Sequence, residues 1–463
     1  MKRILWIAIA VSGAVAVLLG QDIFGTISGG QKPTIALPNL KGSGDAQRFM
    51  AAFNQTLTDD IQGSGYVKVA PKTSYPLNVP NQPSDLMAAP PPVPAPTRGR
   101  PGEIARPANG GGRWMTDWSG PPVNANYLAF GYSGISNGVF VFRGWLFDLT
   151  KDSPATAQVL AKQYLASVDE AGARKAAHQF AADIIAMFGG KSMFGTHIYF
   201  VHQATAMANS EIWVMDPDGG NQHAISHFNS ISIEPSVSPD GSKVAFVSFV
   251  KGNPGIFVFS VDPVRDLRFY NQAASVNGQP SFTPDGKQVV FQSSAHGCCG
   301  IYIASLDGSG FRPITSSRFI DAEPKVNPKT GAEIAFSSGR SGPEQIYRMT
   351  MDGGDITRLT DGTGEASNPS WNPDGQHLAF AWTRGYAAGK FNIFFMDVAS
   401  RNYVQLTHDE GKNENPSWAP DGVHLAFMSN RTGRSQIWMM LANGTQARQL
   451  TTQGVNKSPA WGM

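Results

Sequence analysis

The C-terminal half of the chain alternates short apolar runs with polar corners, and this pattern repeats. The clearest copy spans residues 369–380 and reads PSWNPDGQHLAF. In its Pro-Asp-Gly corner, proline fixes φ, aspartate bonds back to the backbone and glycine accepts a positive φ, so the corner predicts a β-hairpin. The second proline of the motif recurs every 44–47 residues, at Pro239, Pro284, Pro328, Pro373 and Pro420.

Two further apolar segments follow each hairpin. One opens with isoleucine and an aromatic residue, as at Ile393 and Phe394, and the other ends most repeats with Leu-Thr. Four short strands in a repeat of this length are typical of a β-propeller blade. The sequence has six Ile-aromatic pairs but only five complete hairpins. Residues 458–461 (SPAW) match the opening strand of a repeat. We therefore predict six blades, one of which joins this last strand to three strands in residues 197–226.

The residues before the repeats follow a helical and strand pattern instead. Phe49, Phe53, Leu57 and Ile61 recur every four residues, which predicts an amphipathic helix that begins near Asp45. Short strands are predicted at 34–37, 66–69, 127–131, 139–147 and 158–164, and a second helix at 171–188. This pattern indicates a small α+β domain over residues 34–190.

Proline interrupts that domain at residues 78–109, where stretches such as PPPVPAP cannot pack as a helix or a sheet. We predict a disordered or polyproline insertion there. The chain begins with Lys2 and Arg3 and an uncharged apolar run to Leu19. Residues 1–20 are therefore interpreted as a secretory signal peptide, with an uncleaved anchor as the alternative.

These patterns predict the whole domain order. An extended segment at residues 21–33 follows the signal, the α+β domain occupies 34–190, and an all-β six-bladed propeller occupies 191–463. With 463 residues, 41% of them hydrophobic and 16% charged, the chain has ample material for two cores. A net charge of +2 without a Lys/Arg cluster argues against a nucleic-acid partner.

One short motif invites an enzymatic interpretation. Residues 134–138 read GISNG, which matches the nucleophile elbow of α/β-hydrolases. That elbow must lead from a strand into a helix, whereas here Asn137-Gly138 precedes a strand, as a hairpin turn does. No Asp/His partners follow on an α/β pattern, so we predict a turn and no catalytic residue.

Metal and redox sites find little support in the pattern. His223 and His227 form the only close histidine pair and have no third ligand nearby, so a solvated turn is favoured over zinc. The repeated aspartates of the hairpin corners suggest calcium, but turn chemistry explains all of them. Cys298 and Cys299 are adjacent; two free loop thiols are favoured over a vicinal disulfide, which would be strained. We expect no metal and no cofactor.

The most informative positions lie at the start of each hairpin. The first strand of a propeller blade lines the central channel, and the residue before each opening proline is polar in all six copies. These residues are Glu234, Gln279, Glu323, Asn368, Asn415 and Ser458. Any wet channel mouth would be polar, which is one interpretation; the other is a ring of donors and acceptors for an inserted peptide or loop.

The repeat and the domain order together resemble the TolB family. The repeat alone is shared with the regulatory propellers of prolyl-oligopeptidase-like and tricorn proteases, but the signal, the segment at 28–38, the α+β domain and the final strand at 458–461 complete the TolB architecture. The resemblance implies a non-enzymatic periplasmic component of the Tol-Pal system, which supports outer-membrane integrity and constriction at cell division.

The resemblance also implies two partners. A Pal-like peptidoglycan-associated lipoprotein would bind at the channel mouth, where the main contacts carried over by position are Asn277, Gln279, Ala322 and Glu323. A TolA-like inner-membrane protein would bind the segment at 21–32, and the corresponding contacts there are Asp22, Ile23, Phe24 and Ile27. We expect a monomer that is peripheral to the envelope.

Two alternatives remain at this point. An exported propeller of this kind could bind another peptide or a polysaccharide. A lyase or glycosidase would need paired carboxylates that converge on the channel, and Glu234 and Glu323, two blades apart, are the only such pair in the ring.

Overall fold

The computed structural model describes residues 32–88, 110–268, 276–297, 299–316 and 318–463. They form two compact units, one that ends at Phe194 and one that runs from Gly195 to Met463. No helix within the described ranges is long and apolar enough to cross a membrane. The predicted signal, the partner contacts from Asp22 to Ile27, residues 89–109 of the proline-rich segment and Cys298 lie outside these ranges.

The first unit is an α+β domain built on one mixed sheet. Its strands are β1 (Thr34–Ala36), β2 (Lys41–Gly42), β3 (Lys68–Val69), β4 (Tyr127–Ser136), β5 (Val139–Asp148) and β6 (Gln158–Ala166). The sheet has the order β3-β1-β4-β5-β6, with β2 beside β4. Its helices are α1 (Met50–Gly63), α2 (Met115–Ser119), α3 (Pro154–Ala157) and α4 (Glu170–Met187), and 3-10 turns span Gly44–Phe49, Lys72–Ser74 and Pro83–Asp85.

The two long helices bury the apolar faces that their spacing predicts. Phe53 of α1 lies 4.4 Å from the ring of Phe142 on β5, and Phe180 of α4 lies 5.2 Å from the same ring. All three side chains are fully buried. Asp169 caps α4 by accepting a hydrogen bond from the backbone N–H of Gly172.

The structure confirms one local prediction in this unit and corrects another. Strands β4 and β5 are antiparallel partners joined through Asn137 and Gly138, whose φ angles of 52° and 74° suit a hairpin turn and no nucleophile elbow. Residues 78–88, predicted to begin a disordered or polyproline insertion, are ordered instead. Leu86 is buried, and the backbone of Met87 pairs with residues 113–115, because an apolar residue after the Pro83–Asp85 turn completes the core.

The second unit consists of four-stranded sheets, six of them within the described residues. In chain order their strands are β7 (His197–Gln203), β8 (Ser210–Met215), β9 (His223–Ala224), β10 (Ser232–Val237), β11 (Lys243–Lys251), β12 (Asn253–Val261), β13 (Val264–Asp266), β14 (Asn277–Phe282), β15 (Gln288–Ser293), β16 (Gly300–Ser305), β17 (Arg312–Pro313), β18 (Asp321–Val326), β19 (Glu333–Ser338), β20 (Gln345–Thr350), β21 (Thr357–Arg358), β22 (Ala366–Trp371), β23 (His377–Trp382), β24 (Asn392–Asp397), β25 (Tyr403–Gln405), β26 (Asn413–Trp418), β27 (His424–Ser429), β28 (Gln436–Leu441), β29 (Arg448–Gln449) and β30 (Val455–Gly462).

The sheets confirm the six-bladed propeller and the way it closes. Five blades take their four strands consecutively from the chain, beginning with β10-β11-β12-β13. The sixth has the order β30-β7-β8-β9, so the last strand of the chain is the inner strand of the blade that opens the propeller. One phenylalanine on the second strand of each of these five blades is fully buried among neighbouring blades, at Phe246, Phe291, Phe336, Phe380 and Phe427.

The repeated corners use their aspartates as turn chemistry requires. The carboxylate of Asp240 accepts hydrogen bonds from the backbone N–H of Ser242 and from the Ser238 hydroxyl. Asp374 and Asp421 accept backbone N–H bonds two residues ahead in the same way. In the divergent corner, which lacks this aspartate, the side chain of Asn327 accepts the backbone N–H groups of Lys329 and Thr330.

Candidate binding site at the channel mouth

The six residues predicted to form a ring do line one cavity. Its volume is about 100 Å³, and each ring residue contributes to it, in five of the six copies together with the proline that follows. The lining residues are Glu234, Gln279, Glu323, Asn368, Asn415, Ser458, the prolines that follow all of them except Glu323, and Lys325. The inner strands β10, β14, β18, β22, β26 and β30 supply all of these side chains.

A β-bulge in every inner strand points the ring residue into the cavity. The pairing register shifts across this position in all six blades, as between Ile233 and Ser236. All six ring residues have left-handed backbone conformations, with φ between 48° and 57°. Such a bulge bends a strand and redirects a side chain, and the proline locks the next φ.

The ring side chains form a chain of hydrogen bonds from blade to blade. A carboxylate oxygen of Glu234 accepts the backbone N–H of Gln279 at 2.7 Å, and Gln279 Oε1 accepts the N–H of Glu323 at 2.7 Å. Glu323 in turn accepts the N–H of Asn368, whose Oδ1 accepts the N–H of Asn415 at 3.3 Å. At each of these bulges, a backbone N–H group is therefore bonded by a side-chain oxygen of the neighbouring ring residue. This need for an acceptor is a structural reason for polar residues at the ring positions.

Glu323 is the most heavily bonded member of the ring. Its carboxylate also accepts hydrogen bonds from the Ser337 hydroxyl and from Asn368 Nδ2. Burial raises the pKa of Glu323, and these hydrogen bonds oppose that rise. Burial also raises the pKa of Glu234, against the opposing effect of the Gln279 N–H.

Lys325 is the cavity residue that the sequence analysis missed. It lies two residues after Glu323 on β18, where the other inner strands carry Ser236, Ser281, Ser370, Ser417 and Ala460. Burial lowers the pKa of Lys325, and the charges of Glu323 and Glu234 oppose that change. An alignment of the repeats could have identified Lys325, because it is the only charged residue at a position that carries a small side chain in the other five inner strands.

The two other predicted contacts do not reach the cavity. Asn277, at the start of β14, is 3% exposed; its Nδ2 donates to the carbonyl of Pro254 and its Oδ1 accepts from Ser293. Ala322 is 6% exposed and does not line the cavity. Both residues lie before the bulge, so they contribute to packing between strands.

An exposed apolar arc precedes three adjacent ring positions. Ile231, Val276 and Ile320 each lie four residues before the opening proline, and they are 46%, 36% and 57% exposed. The equivalent residues in the next two blades are charged, Glu365 and Lys412. We refer to Ile231, Val276 and Ile320 as the apolar arc. Exposed apolar residues that cluster next to a concave site are typical of protein-binding surfaces.

A partly buried carboxyl group lies close to the ring. Burial, followed by the charges of Glu323 and Glu365, raises the pKa of Glu344 to about 7. Within the described ranges, no group of three His, Cys, Asp or Glu residues has the arrangement of a metal site. Glu234 and Glu323 line the same cavity, but their carboxylates hold backbone N–H groups of the next blades, and Lys325 lies beside them.

Comparisons with known proteins agree with this architecture. The family model described as TolB beta propeller domain matches residues 185–368 and 359–463. A protein TolB homolog from Chlorobium luteolum is 33% identical over 305 residues, covering 65% of this chain and 68% of that protein. The Tol-Pal system protein TolB of Bordetella pertussis is 42% identical over 183 residues, which cover 39% of this chain and only 41% of that protein.

A solved structure matches the fold over nearly the full length. The crystal structure of TolB from Acinetobacter baumannii superposes with a TM-score of 0.72, covering 93% of this chain and 97% of that chain, at 22% sequence identity. The match therefore supports the combination of an α+β domain with a six-bladed propeller.

Proposed function

The chain belongs to the TolB β-propeller family, and from that premise we propose that it is a non-enzymatic periplasmic scaffold that binds a Pal-like lipoprotein at the channel mouth. A TolA-like inner-membrane partner binds the segment that contains Asp22, Ile23, Phe24 and Ile27. In this role the protein supports envelope integrity and constriction at division. The TolA part of the proposal rests on the family resemblance alone, since that segment lies outside the described residues.

The observation that carries the lipoprotein proposal is the apolar arc beside the polar ring. Three exposed aliphatic side chains on adjacent blades offer the apolar centre that a protein interface needs, and the cavity beside them offers polar groups for orientation. An enzymatic role has less support, because the ring carboxylates are engaged in hydrogen bonds that join the blades.

The test is a pull-down from envelope extracts of the source organism, with residues 21–463 as bait and mass spectrometry as readout. We expect capture of a Pal-like lipoprotein. Replacing the apolar arc by serine (Ile231→Ser, Val276→Ser and Ile320→Ser together) should weaken its binding at least about tenfold, because three apolar contacts are lost together and a total loss of about 1.4 kcal/mol is a tenfold change in affinity.

The matched control replaces three apolar residues of similar exposure that lie away from the inner strands. Val264, Leu267 and Ile356 are 47%, 41% and 41% exposed and belong to the outer parts of two blades. Their replacement by serine should leave capture unchanged. Capture that survives the loss of the apolar arc, or that is lost equally in the control, would place the binding surface elsewhere on the protein.

A further inference from the structure

The blade-to-blade hydrogen bonds determine which polar groups remain to meet a ligand in the cavity. Four of the eight side-chain oxygens of the ring accept backbone N–H groups of the next blade, including Gln279 Oε1 and Asn368 Oδ1. With its oxygen engaged, the amide of Gln279 has two N–H donors left. The groups still available are therefore weighted toward donors.

Lys325 adds the strongest of these donors. Among the residues that the structure describes, none forms a hydrogen bond with its ammonium group or an ion pair within 4.0 Å. Its side chain lines the cavity together with Gln279, Asn415 and Ser458. An ammonium group has three donors and no acceptor, so only an acceptor or an anion can satisfy it.

We propose that the cavity binds a carboxylate group presented by the partner, with Lys325 as its cationic contact and the amide of Gln279 as a second donor. This inference rests on the proposed function, since it names the chemistry that the partner inserts beside the apolar arc. Hydrogen bonds between ionised groups are about twice as strong as neutral ones, and the five prolines of the cavity wall have no N–H group that could compete.

The other charges in the cavity are compatible with such a ligand. The carboxylates of Glu234 and Glu323 are already held by backbone N–H groups of the neighbouring blades. Burial lowers the pKa of Lys325, and an incoming carboxylate, like the charges of Glu323 and Glu234, favours the ammonium form of its side chain. A volume of about 100 Å³ accommodates a carboxylate and its neighbouring methylene group, but no folded element.

The experiment follows the Lys325 side chain directly by NMR, using the full chain labelled with ¹³C at the ε-carbon of lysine. The probes are short acetylated peptides that end in an aspartate amide, in a glycine with a free carboxylate, in an asparagine amide, or in a lysine amide. We expect saturable shifts of the Lys325 signal with the carboxylate probes, and an affinity at least about tenfold above that for the asparagine probe. The two carboxylate probes distinguish an acidic side chain from a chain terminus as the source.

Variants assign the signal and provide the control. Lys325→Ser introduces the residue that four other inner strands carry at this position, and it should abolish the binding of carboxylate probes. Lys329→Ser, in the exposed corner of the same blade, should leave that binding unchanged. Lys325→Gln provides a second assignment if the serine variant does not fold. The inference is overturned if the Lys325 signal does not move, or if asparagine or lysine probes bind as tightly.

The same variants separate this inference from the proposed function. If Lys325→Ser retains full capture of the lipoprotein while the apolar-arc variant loses it, the partner binds as proposed and the carboxylate inference falls. If the carboxylate probes bind to Lys325 but no lipoprotein is captured, the cavity chemistry stands and the proposed partner is wrong.

Discussion

Carboxyl groups near the channel mouth and in the hairpin corners have opposite shifts of their pKa. Burial and the neighbouring Glu323 and Glu365 raise the pKa of Glu344 from 4.5 to about 7. Hydrogen bonds from Ser238 and Ser242 lower the pKa of Asp240 to about 2. The corner carboxylate is stabilised in its charged form by the fold, whereas the mouth carboxyl is stabilised in its neutral form.

The raised pKa of Glu344 therefore predicts that the stability of the protein falls as the pH rises. Between pH 4.5 and about pH 7, Glu344 keeps its proton in the folded protein but has lost it in the unfolded chain. The free energy of unfolding therefore decreases as the pH rises through this window. Glu344→Gln removes the effect. The variant should gain stability relative to the wild type between about pH 5 and about pH 8, as measured by denaturant unfolding of the propeller at both values.

Asp240→Asn serves as the control of opposite sign. The lowered pKa of Asp240 stabilises the fold above its unfolded value of 3.8, and this contribution is lost as the pH falls toward about 2. This variant should be less stable than the wild type at neutral pH, with a deficit that shrinks in acid. A Glu344→Gln variant whose stability relative to the wild type is the same at both pH values would refute the assignment.

At the scale of elements, the bulged inner strand combines a backbone cost with a hydrogen bond. A left-handed conformation disfavours any residue with a Cβ atom, yet all six ring positions carry one. In four blades a ring side chain compensates by accepting the N–H of the next blade's bulge. We infer that these side chains are retained for the acceptor that they supply.

A pair of glycine substitutions separates these two contributions. Gln279→Gly and Asn415→Gly relieve the same backbone conformation, with φ of 54° and 52°. Gln279→Gly also removes the acceptor for the Glu323 N–H. The Asn415 side chain makes no hydrogen bond to any residue within the described ranges. Gln279→Gly should therefore lower the free energy of unfolding by about 1–2 kcal/mol more than Asn415→Gly, and equal effects in denaturant titrations would contradict the role of the ring acceptors.

The hairpins, the number of blades and the ring were predictable from sequence because each depends on local chemistry repeated at a fixed interval. Pro, Asp and Gly specify a corner by themselves, and a polar residue before each opening proline is visible in the alignment of repeats. Which atoms the ring side chains contact was not predictable, because it depends on bulges that bring residues 44–47 positions apart together.

Two parts of the site required the structure for a different reason. Lys325 replaces a serine in one repeat, but only the geometry of the bulge shows that this position faces the cavity. The residues of the apolar arc look like ordinary strand residues in the sequence, and Ile320 is 57% exposed because it lies just outside its strand. Exposure at the end of a strand depends on tertiary packing, and the spacing of hydrophobic and polar residues in the repeats does not reveal that packing.

At the scale of the whole molecule, the propeller is a ring whose closure depends on the last nine residues. Strand β30 pairs with β7, and Asn456 contacts His202 of its own blade and Gln436 of the preceding blade. The backbone N–H of Trp461 donates to Ser417, and its indole donates to Thr196. The C-terminus thus joins the first and last parts of the propeller sequence.

Deletion of residues 455–463 should therefore affect the entire propeller and not only its final blade. The truncated chain would expose the edge of β7 and leave Gln436 and Ser417 without these partners, so we expect loss of the cooperative unfolding transition and rapid proteolysis. A synthetic peptide of residues 455–463 should restore protection by adding the missing strand, whereas a peptide of scrambled sequence should not. A truncated chain that unfolds at the wild-type denaturant midpoint would show that the other blades are stable without closure.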